Sequence, residues 1–182
     1  GKPGIEYILD ECIDAGIKEI IFIISNKKKM IKTYFYNDNF YKKIIKKKKD
    51  KRIKEEYKKI LKYKKMIKFV YQNKPLGTGD AVLKTKKFIK HNFFLMLLPD
   101  DLIIKRNCSK SMIKIHKKYN ASVMASMNVK KNNVSRWGIY KLKTKINKNN
   151  YLISDVIEKP SEKKAPSNKA VIGRYILPRE IF

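Results

Sequence analysis

Two adjacent carboxylates, Asp100 and Asp101, follow six apolar residues at 93–98 that show no period-2 alternation. Such a run predicts a strand buried on both faces in the middle of a sheet. Pro99 cannot donate to a strand ladder and helps to end it. Ligands of open α/β sheets bind beyond the carboxyl ends of strands, and two hard oxygen donors there suit a magnesium ion. The same aspartates could equally cap a turn or helix. A second stretch, Gln72-Asn-Lys-Pro-Leu-Gly-Thr-Gly, stands between a predicted strand and a predicted helix. It offers backbone N–H groups at a helix N-terminus, a place suited to a nucleotide base or phosphate, although Gly-x-Gly also makes ordinary tight turns. Gly138 lies at a strand start, where a backbone can approach a ligand closely. Cys12, Cys108, His91 and His116 are isolated, which argues against a zinc site or a Ser–His–Asp triad.

The elements that must position these groups follow from hydrophobic spacing. Ile5, Ile8, Leu9, Cys12 and Ile13 predict a helix that stops at Ala15–Gly16, and 20–24 is a β-branched run read as a buried strand. This order is the second half of a β-α-β unit whose first strand would lie upstream. Residues 27–65 predict two or three helices with solvated lysine faces, with the like-charged 46–52 block as an exposed connection. Further on, the pattern predicts a strand at 67–71, a helix at 80–88 and a helix at 109–119. Strands follow at 121–127, from about 138, at 151–157 and at 170–177. The segment 141–150 reads as a polar hairpin connection, 161–168 as a proline-bearing loop, and Pro178 as the start of a last helix.

A chain of 182 residues with 43% hydrophobic and 11% aromatic residues is globular, despite a mean hydropathy of −0.51. Its net charge of +29 would ordinarily suggest nucleic acid. Only five of the 45 basic residues are arginines, the residue preferred for bidentate phosphate and guanine contacts. The accompanying Ile, Asn and Tyr are what A/T-rich coding favours, so a nucleic-acid partner is not expected. The apolar runs are too short for a membrane span, no leader is evident, and the cysteines read as small buried residues. A cytoplasmic setting is therefore expected. Both ends read as cut: the chain opens at Gly1 without Met and stops within a predicted amphipathic turn at 180–182.

In order along the chain stand Lys2-Pro-x-Ile-Glu-Tyr, Gln72-x-x-Pro-Leu-Gly-x-Gly, Leu98-Pro-Asp-Asp and Val134-Ser-Arg-Trp-Gly-Ile. Then come Glu158-Lys-Pro, Ala165-Pro-Ser-Asn and Gly173-Arg-Tyr-Ile-Leu. Each is weak alone, but the ordered set resembles the bacterial UTP–glucose-1-phosphate uridylyltransferases. The resemblance implies a Rossmann-like nucleotidyltransferase fold with a central, mixed but mostly parallel sheet flanked by helices. Residues 1–182 would form one catalytic domain truncated at both ends. The implied reaction joins UTP and glucose 1-phosphate to give UDP-glucose and pyrophosphate with Mg²⁺, serving polysaccharide synthesis. Sugar-phosphate oxygen attacks the α-phosphorus in line, so positioning and electrostatics dominate.

Carried over by residue, the resemblance gives Gln72 to uracil and Gly77 to the turn that approaches the nucleoside. Asp100 becomes the magnesium ligand and a catalytic residue, and Asp101 sits beside sugar and metal. Gly138 faces the hexose, Glu158 accepts from glucose hydroxyls, and Lys159 contacts the sugar's phosphate as the second catalytic residue. Asn168 and Gly173 shape the sugar side. A polyol needs acceptors and a phosphate needs a cation, which Glu158 and Lys159 offer side by side; alone they would read as a surface ion pair.

The chain also departs from the pattern. The Gly-rich nucleotide loop and its basic residues would precede Gly1, so Lys2 is not one of them. Asp80 stands where histidine is expected, and Trp137 replaces tyrosine or phenylalanine. C-terminal helices that support a homo-oligomer would follow Phe182. Alternatives are a related enzyme using dTTP or CTP, since uracil and thymine share a hydrogen-bonding edge, and a non-catalytic polyanion-binding protein.

Overall fold

Helical spacing at the start of the chain becomes α1 (Gly4–Asp14), which buries Ile8, Leu9 and Cys12 together with Glu6 and Glu11. The structure is a computed structural model that describes residues 2–47 and 51–182. After α1 come β1 (Ile20–Ile24), α2 (Lys29–Tyr36), α3 (Asn39–Lys47), α4 (Lys51–Met66) and β2 (Ile67–Tyr71). The chain continues through α5 (Thr78–Leu83), β3 (Phe93–Leu97), α6 (Cys108–Tyr119) and β4 (Val123–Asn128). It ends with β5 (Gly138–Lys145), β6 (Tyr151–Glu158) and β7 (Lys169–Pro178). Two compact units result, one of Gly1–Ala15 and Phe93–Pro178, the other of Gly16–Asn92 and Arg179–Phe182.

In the second unit β1 and β2 pair in parallel, Ile20 opposite Ile67 and Ile24 opposite Tyr71. Parallel neighbours require a long crossover, and α2–α4 supply it. Phe35 and Tyr63 are buried beneath them, with Phe22 5.8 Å from Phe35 and 5.7 Å from Phe69 between ring centroids. The expected two or three lysine-faced helices are thus three. The middle of the 46–52 block lies outside the described residues.

In the first unit β7 is the organising strand. Its ten residues pair antiparallel with β4 along one edge, and with β3 and then β5 along the other. β6 closes the far side by pairing with β5. Helix α6 lies over this sheet, with Met112 joining Ala125 and Ile176 in one cluster. Asn107 starts α6 by accepting from the Lys110 N–H at 2.7 Å, and Asn120 in the left-handed conformation ends it.

Several expectations need correction. β3 pairs with β7 alone among the described residues, and its five residues are half-buried rather than buried on both faces. An unbroken apolar run reports neither full cover on both faces nor the number of paired neighbours. The mixed sheet is present as a parallel pair and an antiparallel five-stranded sheet, so parallel pairing does not dominate. The expected hairpin connection at 141–150 is half strand: β5 runs to Lys145 with its lysines facing solvent. The 80–88 helix is only α5, which begins at Thr78 and stops at Leu83. Pro178 closes β7 and is followed by a short 3-10 turn. Among the described residues no helix is long and apolar enough to cross a membrane.

What fixes β7 against α1 is a buried ion pair. Arg174 is fully buried, and its Nη2 lies 2.9 Å from Glu11 Oε2. Arg174 Nε also donates to Glu11, Nη1 donates to the Leu98 and Gly173 carbonyls, and Nη2 donates to the Asp101 carbonyl at 2.7 Å. Glu11 Oε1 accepts from both the N–H and hydroxyl of Ser109 at the start of α6. Burial pushes the Glu11 carboxyl up, but the bonds from Arg174 and Ser109 and the Arg174 charge outweigh it and hold it below its ordinary value. Stability drawn from Glu11 is therefore present above the ordinary carboxylate range and declines as pH falls through the lowered folded value. Glu11→Gln leaves a buried guanidinium without its counter-charge and is expected to cost about 3 kcal/mol in urea unfolding. The variant should also show a flatter loss of stability on acidification than the parent, and equal acid slopes would contradict this account.

Candidate functional site

Strand alternation gives β7 two faces. Arg174 points to α1, whereas Gly173 and Tyr175 belong to the opposite face, the one Val171 shares. Leu98 continues β3 by donating its N–H to the Gly173 carbonyl at 2.8 Å. The chain then turns at Pro99, and Asp101 Oδ2 accepts the Gly173 N–H at 2.6 Å. A Cβ on Gly173 would fall 2.4 Å from Leu98 Cβ and 3.1 Å from Asp101 Oδ2, so only glycine lets the two backbones approach this closely. Asp101 is consequently half-buried and fixed, while Asp100 beside it is exposed.

The ends of β5 and β6 reach the same face. Gly138 is the register partner of Glu158. A Cβ on Gly138 would meet Glu158 Oε2 at 3.0 Å, Val171 Cγ2 at 3.2 Å and Val156 Cγ1 at 3.3 Å. Tyr175 reports the electrostatic result. Burial, then the charges of Asp101, Asp100 and Glu158, push its hydroxyl above the ordinary tyrosine range. All three carboxylates thus act on one phenol.

Lys159 follows β6 in the left-handed conformation at φ +46°, its N–H donating to the Trp137 carbonyl at 3.0 Å. Its Nζ lies 3.9 Å from Glu158 Oε1, with both side chains mostly exposed, so the pair itself adds little stability. Asn168 is exposed and tied through its carbonyl to the Val129 N–H at 3.0 Å. The structure therefore gathers Asp100, Asp101, Gly138, Glu158 and Gly173, sets Lys159 beside Glu158, and holds Asn168 by its backbone at the start of β7.

In the other unit, Gln72 follows β2, and its N–H donates to the Ile24 carbonyl at 2.9 Å. Its side-chain Nε2 donates to the Gly77 carbonyl at 3.0 Å and to Asp80 Oδ2 at 2.8 Å. Gly77 has φ +92°, which a side-chain-bearing residue adopts only with strain, and it turns the chain into α5. Lys2 pairs with Asp10 and lies 4.2 Å from the Tyr7 ring centroid. Cys12 is buried and its thiol pushed up to about 12, chiefly by burial, so it stays protonated at neutral pH.

Glu11, Arg174 and Tyr175 were not legible as site-supporting residues from sequence. The available signals were the Gly173-Arg-Tyr-Ile-Leu motif and an arginine, one of five, in a chain that mostly uses lysine.

Comparison with known proteins bears on the fold and the family. The nucleotidyl transferase family model matches residues 1–182. A UTP–glucose-1-phosphate uridylyltransferase of Streptococcus pyogenes is 35% identical over 188 residues, covering 100% of this chain and 60% of its own length. A UTP-bound UGPase from Acinetobacter baumannii matches with a TM-score of 0.87 at 31% identity, over 98% of this chain and 64% of that one. A UDP-glucose pyrophosphorylase complexed with UDP-glucose matches with a TM-score of 0.81 at 30% identity, over 98% and 65%. The nucleotidyltransferase fold expected from the motifs is borne out, and the chain spans about 60% of the length of that curated relative.

The two glycines on this face should respond differently to a methyl group. Gly173→Ala is expected to cost about 1–3 kcal/mol, because the obstacle is Leu98 next to the backbone. Gly138→Ala should cost less than about 1 kcal/mol, since its tightest neighbour is the exposed far end of the Glu158 side chain. Denaturant unfolding of both variants measures this, and the reverse order would be inconsistent with the contacts described.

Proposed function

The chain belongs to the nucleotidyl transferase family, and we propose that it is the part of a UTP–glucose-1-phosphate uridylyltransferase that selects both substrates. The reaction is transfer of the uridylyl group from UTP to glucose 1-phosphate, releasing pyrophosphate. The observation that carries this reading is the set of three carboxylates, Asp100, Asp101 and Glu158, near Tyr175, with Asp101 seated on the Gly173 N–H and Glu158 against Gly138. Carboxylates accept hydrogen bonds from sugar hydroxyls.

The donor set also fits magnesium. Among the described residues no group of three metal-ligating side chains is assembled. A magnesium ion that arrives with a nucleotide needs only one or two protein carboxylates, since phosphate oxygens and water complete its octahedron. Asp100, exposed and adjacent to the fixed Asp101, would hold it. Bound there, the ion supplies neutralisation of charge on the phosphates.

The remaining roles belong to the chain's own side chains. Glu158 orients the hexose by accepting from its hydroxyls, with Asp101, Asn168 and the two glycines bounding the sugar. Lys159 draws the sugar's phosphate into position for in-line attack on the α-phosphorus. Gln72 and the Gly77 turn receive the uracil. Since phosphoryl chemistry needs no covalent partner from the protein, positioning and electrostatics supply the rate. A cytoplasmic homo-oligomer feeding polysaccharide synthesis completes the proposal.

The test is pyrophosphate release from UTP and glucose 1-phosphate by the complete open reading frame. Asp100→Asn should lower turnover by about 100-fold or more while leaving the unfolding midpoint in place. Activity within two-fold of the parent at limiting magnesium would remove Asp100 from the metal role.

A further inference from the structure

We infer that Asp80 is a positioning residue for base choice: it locks the Gln72 amide with its carbonyl oxygen outward, so that the protein reads a pyrimidine by its imino N–H. The inference rests on the reading of Gln72 as the base contact. Both hydrogens of Gln72 Nε2 are committed, one to the Gly77 carbonyl at 3.0 Å and one to Asp80 Oδ2 at 2.8 Å. A carbonyl oxygen and a carboxylate can only accept. The amide therefore has one sensible orientation, because a flipped side chain would set its oxygen against two other oxygens at hydrogen-bond distance.

Asp80 is itself held in place. Its Oδ1 lies 3.4 Å from Lys84 Nζ one turn along, and the aspartate side chain is only 21% exposed. The Gly77 carbonyl is anchored in the same way, since it also accepts from the Ala81 N–H at 3.3 Å. Gln72 is fixed at its other end by the bond from its own N–H to Ile24. What remains to meet a base is Oε1, which accepts no hydrogen bond among the described residues.

That chemistry sorts pyrimidines. Uracil and thymine carry a hydrogen on N3 and can donate to Oε1. Cytosine presents a lone pair at N3, so the same approach sets two acceptors against each other. Sites built to pair a particular hydrogen-bonding group reject the analogue that lacks it far more strongly than apolar pockets reject a missing methyl. Asp80 thus separates uridine and thymidine nucleotides from cytidine nucleotides, and it leaves the choice between uracil and thymine to other contacts.

The experiment measures kcat/KM for UTP, dTTP and CTP on the complete protein and on Asp80→Ala, Asp80→Asn, Lys84→Ala and Gln72→Ala. Asp80→Ala is expected to shrink the UTP-to-CTP ratio by about ten-fold or more. Asp80→Asn, whose carbonyl can still accept from Nε2, should keep the ratio within about three-fold of the parent. Lys84→Ala, which loosens Asp80 but leaves its carboxylate able to accept from Nε2, should narrow the ratio by less than about three-fold. A loss of turnover in Asp80→Ala with the ratio intact would mean a merely structural role and would overturn the inference. If Gln72→Ala narrows the ratio and Asp80→Ala does not, the base contact stands and the positioning role falls. If Gln72→Ala changes neither the ratio nor the KM for UTP, the underlying assignment of Gln72 fails first. Should Asp80→Ala prove unstable, equilibrium binding of UTP and CTP to Asp80→Asn and Asp80→Ser gives the same comparison, because serine is too short to hold the amide.

Discussion

The first unit depends on one buried guanidinium. Arg174 spends all five of its N–H groups inside the protein, on Glu11 and on the carbonyls of Leu98, Gly173 and Asp101. A buried ion pair is weak evidence for stability in general, because desolvation cancels much of the attraction. This one is different in kind, since every donor is matched and the partners come from α1, β7 and the turn at 98–101. The pair therefore defines a geometry. It brings residue 11 against residue 174 and fixes the backbone on either side of Asp100. Lysine could not replace it, having three donors from a single point and no planar fork.

On the other face of the same strand the energetics run in the opposite direction. Asp100, Asp101 and Glu158 share a neighbourhood with Tyr175, whose hydroxyl they help burial to hold above its ordinary range. Gly173 surrenders side-chain packing so that Leu98 and Asp101 can close on it. Lys159 holds a left-handed backbone that a non-glycine residue adopts only at some cost. Local rules broken together on one patch, above a fully satisfied core, are the pattern of a site whose groups are arranged for a ligand rather than for folding.

Much of the fold was readable because burial and backbone period leave marks on composition. The β-branched run at 20–24 and the apolar runs at 67–71 and 170–177 became β1, β2 and β7. Where lysine saturates exposed positions, the marks fade, and β5 was half hidden for that reason. The carboxylates of the proposed site stood out through their place after β3, as did Glu158 through its motif. Their support was not. Glu11 lies 163 residues from Arg174, and charged residues in a helix and a strand ordinarily face water. No local pattern announces that two of them meet in a core. Asp80 was visible only as an oddity until its bond to Gln72 gave it a partner.

Charge scarcity gives these placements their weight. With 16 acidic residues among 45 basic ones, almost any surface carboxylate can lower its energy by lying next to a lysine, as Glu19 does with Lys68 at 2.7 Å and Asp38 with Lys64 at 3.2 Å. Of the three acids near one tyrosine, only Glu158 keeps such a neighbour, the exposed Lys159 at 3.9 Å. A face so composed repels a bare phosphate and becomes attractive to one only when a cation stands between them. It welcomes hydroxyl groups without help. Sugar hydroxyls and a metal-bound phosphate are the chemistry that such a face can serve, and a long lysine-rich exterior offers neither.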